Sequence, residues 1–229
     1  SYEVVSKNLG ANAGLVVAAS LLVDYVMTVA VSVASGVDNI ISAFGGLAGY
    51  RVALAVGFVV LLTAMNLRGV RESGRAFAAP TYLFIGGILL MVVTGLVRVV
   101  FGDDPQAPTA AFGIHPAEGG DNLAGLGLLM LGLRAFASGC TALTGVEAIS
   151  NGVPAFRAPK SRNAASTMSA MGILAVVMFV GVTVLAMTSN VHYVDDACQL
   201  SGLAGDCSTY TQQTVIAQLA STFLGGDNS

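Results

Sequence analysis

Gly139-Cys-Thr-Ala-Leu-Thr144-Gly-Val-Glu147-Ala-Ile-Ser-Asn-Gly152 is the stretch on which the reading of this chain turns. It ends a long apolar run and sets Glu147 inside, or at the edge of, what must be a membrane span. A carboxylate at the centre of a membrane helix costs about 2.5–3.5 kcal/mol on insertion scales, so a chain keeps one there for a purpose. Glycines and closely spaced hydroxyls surround it. A membrane helix that breaks at such a point builds an ion or substrate site from freed carbonyls and side-chain oxygens. Ser138-Gly139-Cys140-Thr141 is the expected break, after a half-helix Leu123–Ala137. Thr144 and Glu147, three residues apart, then share a face. The alternative is a glycine-rich kink tolerated by neighbouring helices.

The rest of the chain supports a membrane setting. Mean hydropathy is +0.77; 55% of residues are hydrophobic and 10% charged, against about 25% charged in soluble domains. The 28 glycines suit closely packed membrane helices. Apolar segments near 11–36, 52–67, 80–101, 123–150 and 167–187 each approach the ~17–25 residues needed to span. The organisation expected is a transmembrane region over 1–188 and an extracytoplasmic loop over 189–229. A moderately apolar piece of that loop, Thr211–Leu224, reads as a short helix rather than a sixth span. Pro80 reads as the start of the third span and Pro154 as a boundary after the fourth. The Ser start and odd number of spans read as a piece of a larger transporter.

Arg68, Arg71, Arg75, Arg157, Lys160 and Arg162 are six of the ten basic residues. They occupy the second–third and fourth–fifth linkers, which the positive-inside rule places in the cytoplasm with the N-terminus, leaving the tail outside. Cys140 reads as a small packing residue. Cys198 and Cys207 share one polar segment, which permits a disulfide if that segment is extracytoplasmic. His115 and His192 read as solvated loop residues.

A second polar feature lies in the first span. Asp24 sits within Val23-Asp-Tyr-Val26, with Thr28 and Ser32 at i+4 and i+8 on one helical face and Ser35 one turn further. Each hydroxyl alone is as well explained by helix–helix hydrogen bonding or by back-bonding to the i−4 carbonyl; the acid is not. Carboxylates, hydroxyls and carbonyls are what hard cations and protons bind. Arg134 reads as a structural or gating residue. There is no nucleophile triad, metal-binding cluster, phosphate loop or basic stripe for nucleic acid, so an enzyme and a nucleic-acid partner are not expected.

Leu22-Val-Asp24-Tyr25-Val-Met-Thr28-Val-Ala-Val-Ser32, Asn66-Leu-Arg68-Gly69 and Thr141-Ala-Leu-Thr144-Gly-Val-Glu147-Ala-Ile-Ser150-Asn151-Gly152 together resemble the amino-acid/polyamine/organocation superfamily. Within it, the resemblance is strongest to the KimA-type potassium importers. It implies an all-α membrane protein of LeuT-like fold, with two inverted five-helix repeats, of which this chain would cover helices three to seven with the fourth span discontinuous. It also implies proton-coupled potassium uptake. The matching site residues are Asp24, Thr28, Ser32, Thr144 and Glu147, with Gly139, Thr141 and Gly145 supporting the break. A cation and a proton compete for the same carboxylate oxygens, so Asp24 or Glu147 suits the coupling. No cofactor is expected; potassium and protons are the transported species. The expected partners are the lipid bilayer, a potassium ion or small substrate, the remaining helices of the same polypeptide and, as one option, a second copy of the chain. The competing readings are a proton-coupled amino acid permease of the same fold and a membrane subunit that transports nothing.

Overall fold

The computed structural model describes residues 2–67, 70–102, 105–114, 125–141, 149, 152–153, 156–194, 196–203, 207 and 210–225. The elements are α1 (Tyr2–Leu9), α2 (Ala11–Ala43), a 3-10 turn (Gly45–Tyr50), α3 (Arg51–Leu67) and α4 (Val70–Val100), followed by β1 (Gly113–Ile114), α5 (Leu126–Thr141) and α6 (Lys160–Thr188). A 3-10 turn (Ala197–Gln199), β2 (Leu200–Ser201) and α7 (Val215–Phe223) complete the tail. The chain divides into two compact units, Ser1–Val33 with Asn122–Ala175, and Ala34–Asp121 with Val176–Ser229.

Among the described residues, four helical stretches are long and apolar enough to cross a membrane: Ala11–Ala43, Gly45–Leu67, Ala76–Val100 and Lys160–Thr188. Leu126–Ala137 is a shorter apolar helix. α3 buries none of its side chains within the chain. A helix apolar all round with nothing to cover it in water is a helix built for lipid or for neighbours within the bilayer.

The helices outrun the apolar segments. α2 continues past the expected end at Gly36 to Ala43, 33 residues in all, or about 50 Å at 1.5 Å per residue, against about 30 Å of hydrocarbon. Its last turns are polar but internally bonded: Asn39 Nδ2 donates to Ser35 O at 2.8 Å and Ser42 Oγ to Asp38 O at 2.8 Å. α4 begins at Val70, so residues 70–75, with three charged side chains, form its first turns ahead of the apolar stretch Ala76–Val100, and Pro80 lies inside the helix rather than at its start. Proline removes one backbone donor, which membrane helices accommodate. α5 runs through Ser138–Thr141, so the break is not at these residues. One glycine costs a helix about 1 kcal/mol, too little to end it where every backbone group needs a partner. The polar lead is also helical, and turns at Gly10, whose φ of +90° favours glycine.

In the first unit, Gly14 packs so closely on α1 that an added Cβ would lie 2.7 Å from Ser6 Cβ. In the second unit the core joins α4, α6 and α7 through Ile88, Met91, Val92, Leu185, Leu219 and Phe223. Two glycines allow the close approach. A Cβ on Gly95 would meet both Leu185 methyls at 2.7 Å, and one on Gly181 would meet Val92 Cγ1 at 2.6 Å.

The tail is held by polar joints. Thr109 and Gln218 are buried, and Thr109 Oγ1 donates to Gln218 Oε1 at 2.6 Å while accepting from His192 N at 3.0 Å. Ala107 N donates to Ser189 O at 2.8 Å, and β1 pairs antiparallel with β2, Gly113 opposite Ser201. His192 is therefore not a solvated loop residue. It is half-buried, and its Nδ1 lies 2.6 Å from Phe112 O; a carbonyl only accepts, so Nδ1 carries the proton. The short tail helix expected within Thr211–Leu224 is α7, and Cys198 and Cys207 form a disulfide. His115 and Pro154 lie outside the described residues.

Candidate functional site

α2 supplies the candidate site. At 3.6 residues per turn, Asp24, Thr28, Ser32 and Ser35 fall within an arc of about 80°. Asp24 and Ser32 are exposed within the chain and Thr28 is half-buried. Many hydroxyls on these helices turn back onto their own backbone, although Thr63, Ser166 and Ser169 do not. Ser20, Thr81, Thr94, Thr167, Thr183 and Thr188 each turn back onto the carbonyl four residues earlier, at 2.7–3.0 Å. That arrangement is the ordinary fate of a hydroxyl on a membrane helix. Among the described residues, Thr28, Ser32 and Asp24 form no such bond and have no other polar partner. Three oxygen-bearing side chains on one face of a long apolar helix are thus left available.

The second half of the expected site is not described. Thr144, Gly145 and Glu147 lie outside the described residues. Gly139 and Thr141 are the third-last and last residues of α5. Arg134 is exposed on the same helix.

The polar face of α2 does not stop at Ser35. Asp38, Asn39 and Ser42 continue it, and all seven residues lie within about 120° of arc. This continuation was legible as an i, i+3/i+4 register, and it was missed because the apolar run ends at Gly36. Within the second unit this end of α2 borders a partly open cavity of about 400 Å³, lined by Asp38, Arg51, Tyr193, Asp196, Tyr210 and Thr211 among others. Arg51 Nη2 pairs with Asp38 Oδ1 at 3.1 Å, with 60% and 38% of the two side chains exposed. Asp196 Oδ1 accepts from Cys198 N at 3.0 Å, and Cys207 also lines the cavity, so the disulfide lies in its wall. Tyr210 is fixed edge-on to Phe112, with ring centroids 6.3 Å apart. Beside the cavity, Asn39 and Ser42 grip the start of α7: Thr214 Oγ1 donates to Asn39 Oδ1 at 2.8 Å and Thr214 N to Ser42 Oγ at 3.0 Å. Thr214 Oγ1 also caps α7 by accepting from Ala217 N at 3.2 Å.

Apolar helices of spanning length, one of them carrying a row of unpaired oxygens, describe an all-α multi-pass membrane protein. The chain belongs to the amino acid permease family, whose model matches residues 1–200. It is 46% identical over 206 residues to the potassium transporter KimA of Bacillus subtilis (strain 168), covering 90% of this chain and 33% of that protein. It is 31% identical over 140 residues to the probable potassium transport system protein Kup of Pseudomonas paraeruginosa (strain DSM 24068 / PA7), covering 60% of this chain and 20% of that protein. The chain thus spans about a third of the length of the first of these relatives and a fifth of the second.

Proposed function

We propose that the protein to which this chain belongs is a secondary transporter that carries potassium into the cell together with protons. On this reading its work is transport rather than catalysis. The observation that carries the proposal is the unpaired row on α2: a carboxylate and two hydroxyls, the oxygen set a hard cation binds, on a helix whose relative is named a potassium transporter. Asp24, Thr28 and Ser32 form one wall of the cation site and Thr144 and Glu147 the other. Asp24 or Glu147 binds the proton when the cation has left. Gly139, Thr141 and Gly145 support that second wall. The N-terminus faces the cytoplasm and the tail faces outward, in keeping with the basic linkers and with a disulfide, which persists in oxidising surroundings. The bilayer, the rest of the polypeptide and a second copy of the chain complete the assembly.

Potassium uptake by the full-length protein, in cells lacking other potassium importers, is the test. Uptake that depends on potassium and on a proton gradient, and that collapses in Asp24→Asn and Glu147→Gln, is the expected result. Undiminished uptake in the double variant sinks the site assignment. Proton-coupled amino acid transport is the second reading, favoured by the family's description. It predicts that an amino acid competes for binding and that both acids are dispensable.

A further inference from the structure

We infer that the cavity between the end of α2, the start of α3 and the tail is a second cation site, an antechamber in which Arg51 acts as a tethered competitor for the carboxylate of Asp38. The inference rests on the transport reading above, and adds to it a site and a gate.

The cavity's chemistry suits a hydrated cation. Its lining residues include two acids, Asp38 and Asp196, and the hydroxyl-bearing Tyr193, Tyr210 and Thr211. Against these stands one cationic side chain, Arg51, so the lining carries one formal negative charge in excess. About 400 Å³ is far more than the ~10–15 Å³ that admits one water. A potassium ion can therefore enter with its hydration shell and need not be stripped there. The lining is oxygen-rich, the donor type that hard monovalent and divalent cations share.

Arg51 already displays the occupancy. Its guanidinium lies 3.1 Å from Asp38 Oδ1, where an incoming cation would sit. With 60% of Arg51 exposed the pair is weak, in the class of surface pairs worth about 0–1 kcal/mol, so a mobile cation can displace it. Asp38 lies on the same arc of α2 as Asp24, fourteen residues further along. The intervening Thr28, Ser32 and Ser35 place further oxygens on that arc. The disulfide and the Phe112–Tyr210 contact fix the opposite wall, so the gate is the ion pair and not the tail.

Two readouts test this in the full-length protein. The first is the half-saturating potassium concentration for uptake. Asp38→Asn should raise it about threefold or more and Arg51→Gln should lower it, with both effects shrinking as ionic strength rises. The double variant should behave as Asp38→Asn alone, since Arg51 acts only through that carboxylate. The second readout does not use transport. In Thr211→Cys, a membrane-impermeant cationic thiol reagent should react faster than its anionic counterpart; Asp38→Asn should reduce that preference and Arg51→Gln increase it. If the reagent preference ignores both substitutions, or if Arg51→Gln acts equally with and without Asp38, the antechamber is refuted. If the preference behaves as expected while the wild type moves no potassium, the transport reading fails and the cation site stands.

Discussion

Replacing Gln218 tests how the tail is held to the second unit. Gln218 is wholly buried, and its Oε1 accepts from Thr109 Oγ1 at 2.6 Å while its Nε2 donates to Gln213 O at 3.0 Å. Gln218→Leu keeps the volume and removes both bonds. Gln213 is exposed, so its carbonyl can turn to water. Thr109 cannot: it is 2% exposed, and its hydroxyl hydrogen is left without an acceptor. An orphaned buried donor costs about 1–3 kcal/mol, part of which is offset because an apolar side chain replaces a buried amide. A net loss of about 1–2 kcal/mol follows. The loss is local, so it should appear as accelerated amide hydrogen exchange in α7, about 5- to 30-fold at 1.4 kcal/mol per factor of ten. Exchange in α3 should not change. Thr109→Val alone should cost a similar amount, because Gln218 Oε1 and His192 N both lose their partner. In the double variant only His192 N is orphaned, so the combined loss should fall short of the sum by about 1 kcal/mol. Unchanged exchange in α7, or strictly additive losses, would show that the joint contributes nothing.

Further outcomes follow from the same structure. Gly181→Ala should destabilise more than Gly95→Ala, within the ~1–3 kcal/mol range of overpacking, because a branched Val92 has less room to turn aside than Leu185; thermal aggregation of the detergent-solubilised protein would rank them. Cys198→Ser with Cys207→Ser should cost about 2–3 kcal/mol in the tail, the loop-entropy value for a separation of 9, and an impermeant thiol reagent applied from outside should label these positions in the wild type only after reduction. Thr28→Val and Ser32→Ala should each reduce potassium uptake several-fold, whereas Ser20→Ala, whose hydroxyl is already spent on Val16 O at 2.9 Å, should leave uptake within about twofold. Equal effects at all three positions would return Thr28 and Ser32 to a packing role.

Four of the five apolar runs fall on helices long and apolar enough to cross a membrane, and the fourth on the shorter α5, because burial in lipid is dictated by composition over some twenty residues. They misjudged the ends, because a helix stops where its backbone hydrogen bonds stop and not where its apolar side chains do. At the end of α2 the polar residues Asn39 and Ser42 carry on the helix by bonding to its own carbonyls, and at α4 the helix passes through Pro80. Asp24, Thr28 and Ser32 were legible because their spacing is a property of one helix. The cavity was not, because Tyr193, Asp196 and Tyr210 line it with Asp38 only through tertiary folding, and no local pattern reports a separation of more than 150 residues. The disulfide stood between these cases: two cysteines in one polar segment permit a bond, and only the fold brings them together.

The relative strength of the contacts at the C-terminal end of α2 decides what can open there. Thr214 is bound by two hydrogen bonds to Asn39 and Ser42 and by its own helix cap. Each such bond contributes about 0.5–1.5 kcal/mol, and the cap about 1 kcal/mol. Phe223 and Leu219, buried on α4 and α6, resist any lifting of α7 with a few kcal/mol more. The Arg51–Asp38 pair, by contrast, contributes at most about 1 kcal/mol, and a cation can replace it. Displacing α7 from α2 therefore costs several times more than parting the ion pair. A thermal fluctuation that opens the cavity does so by swinging Arg51 aside while the Thr214 joint stays closed, and this keeps the end of α2 in register with the tail as the gate works. Thr214→Val, which keeps the backbone bond to Ser42 and removes the bond to Asn39 and the cap, should loosen α7 in hydrogen exchange without altering the cationic preference of the cavity.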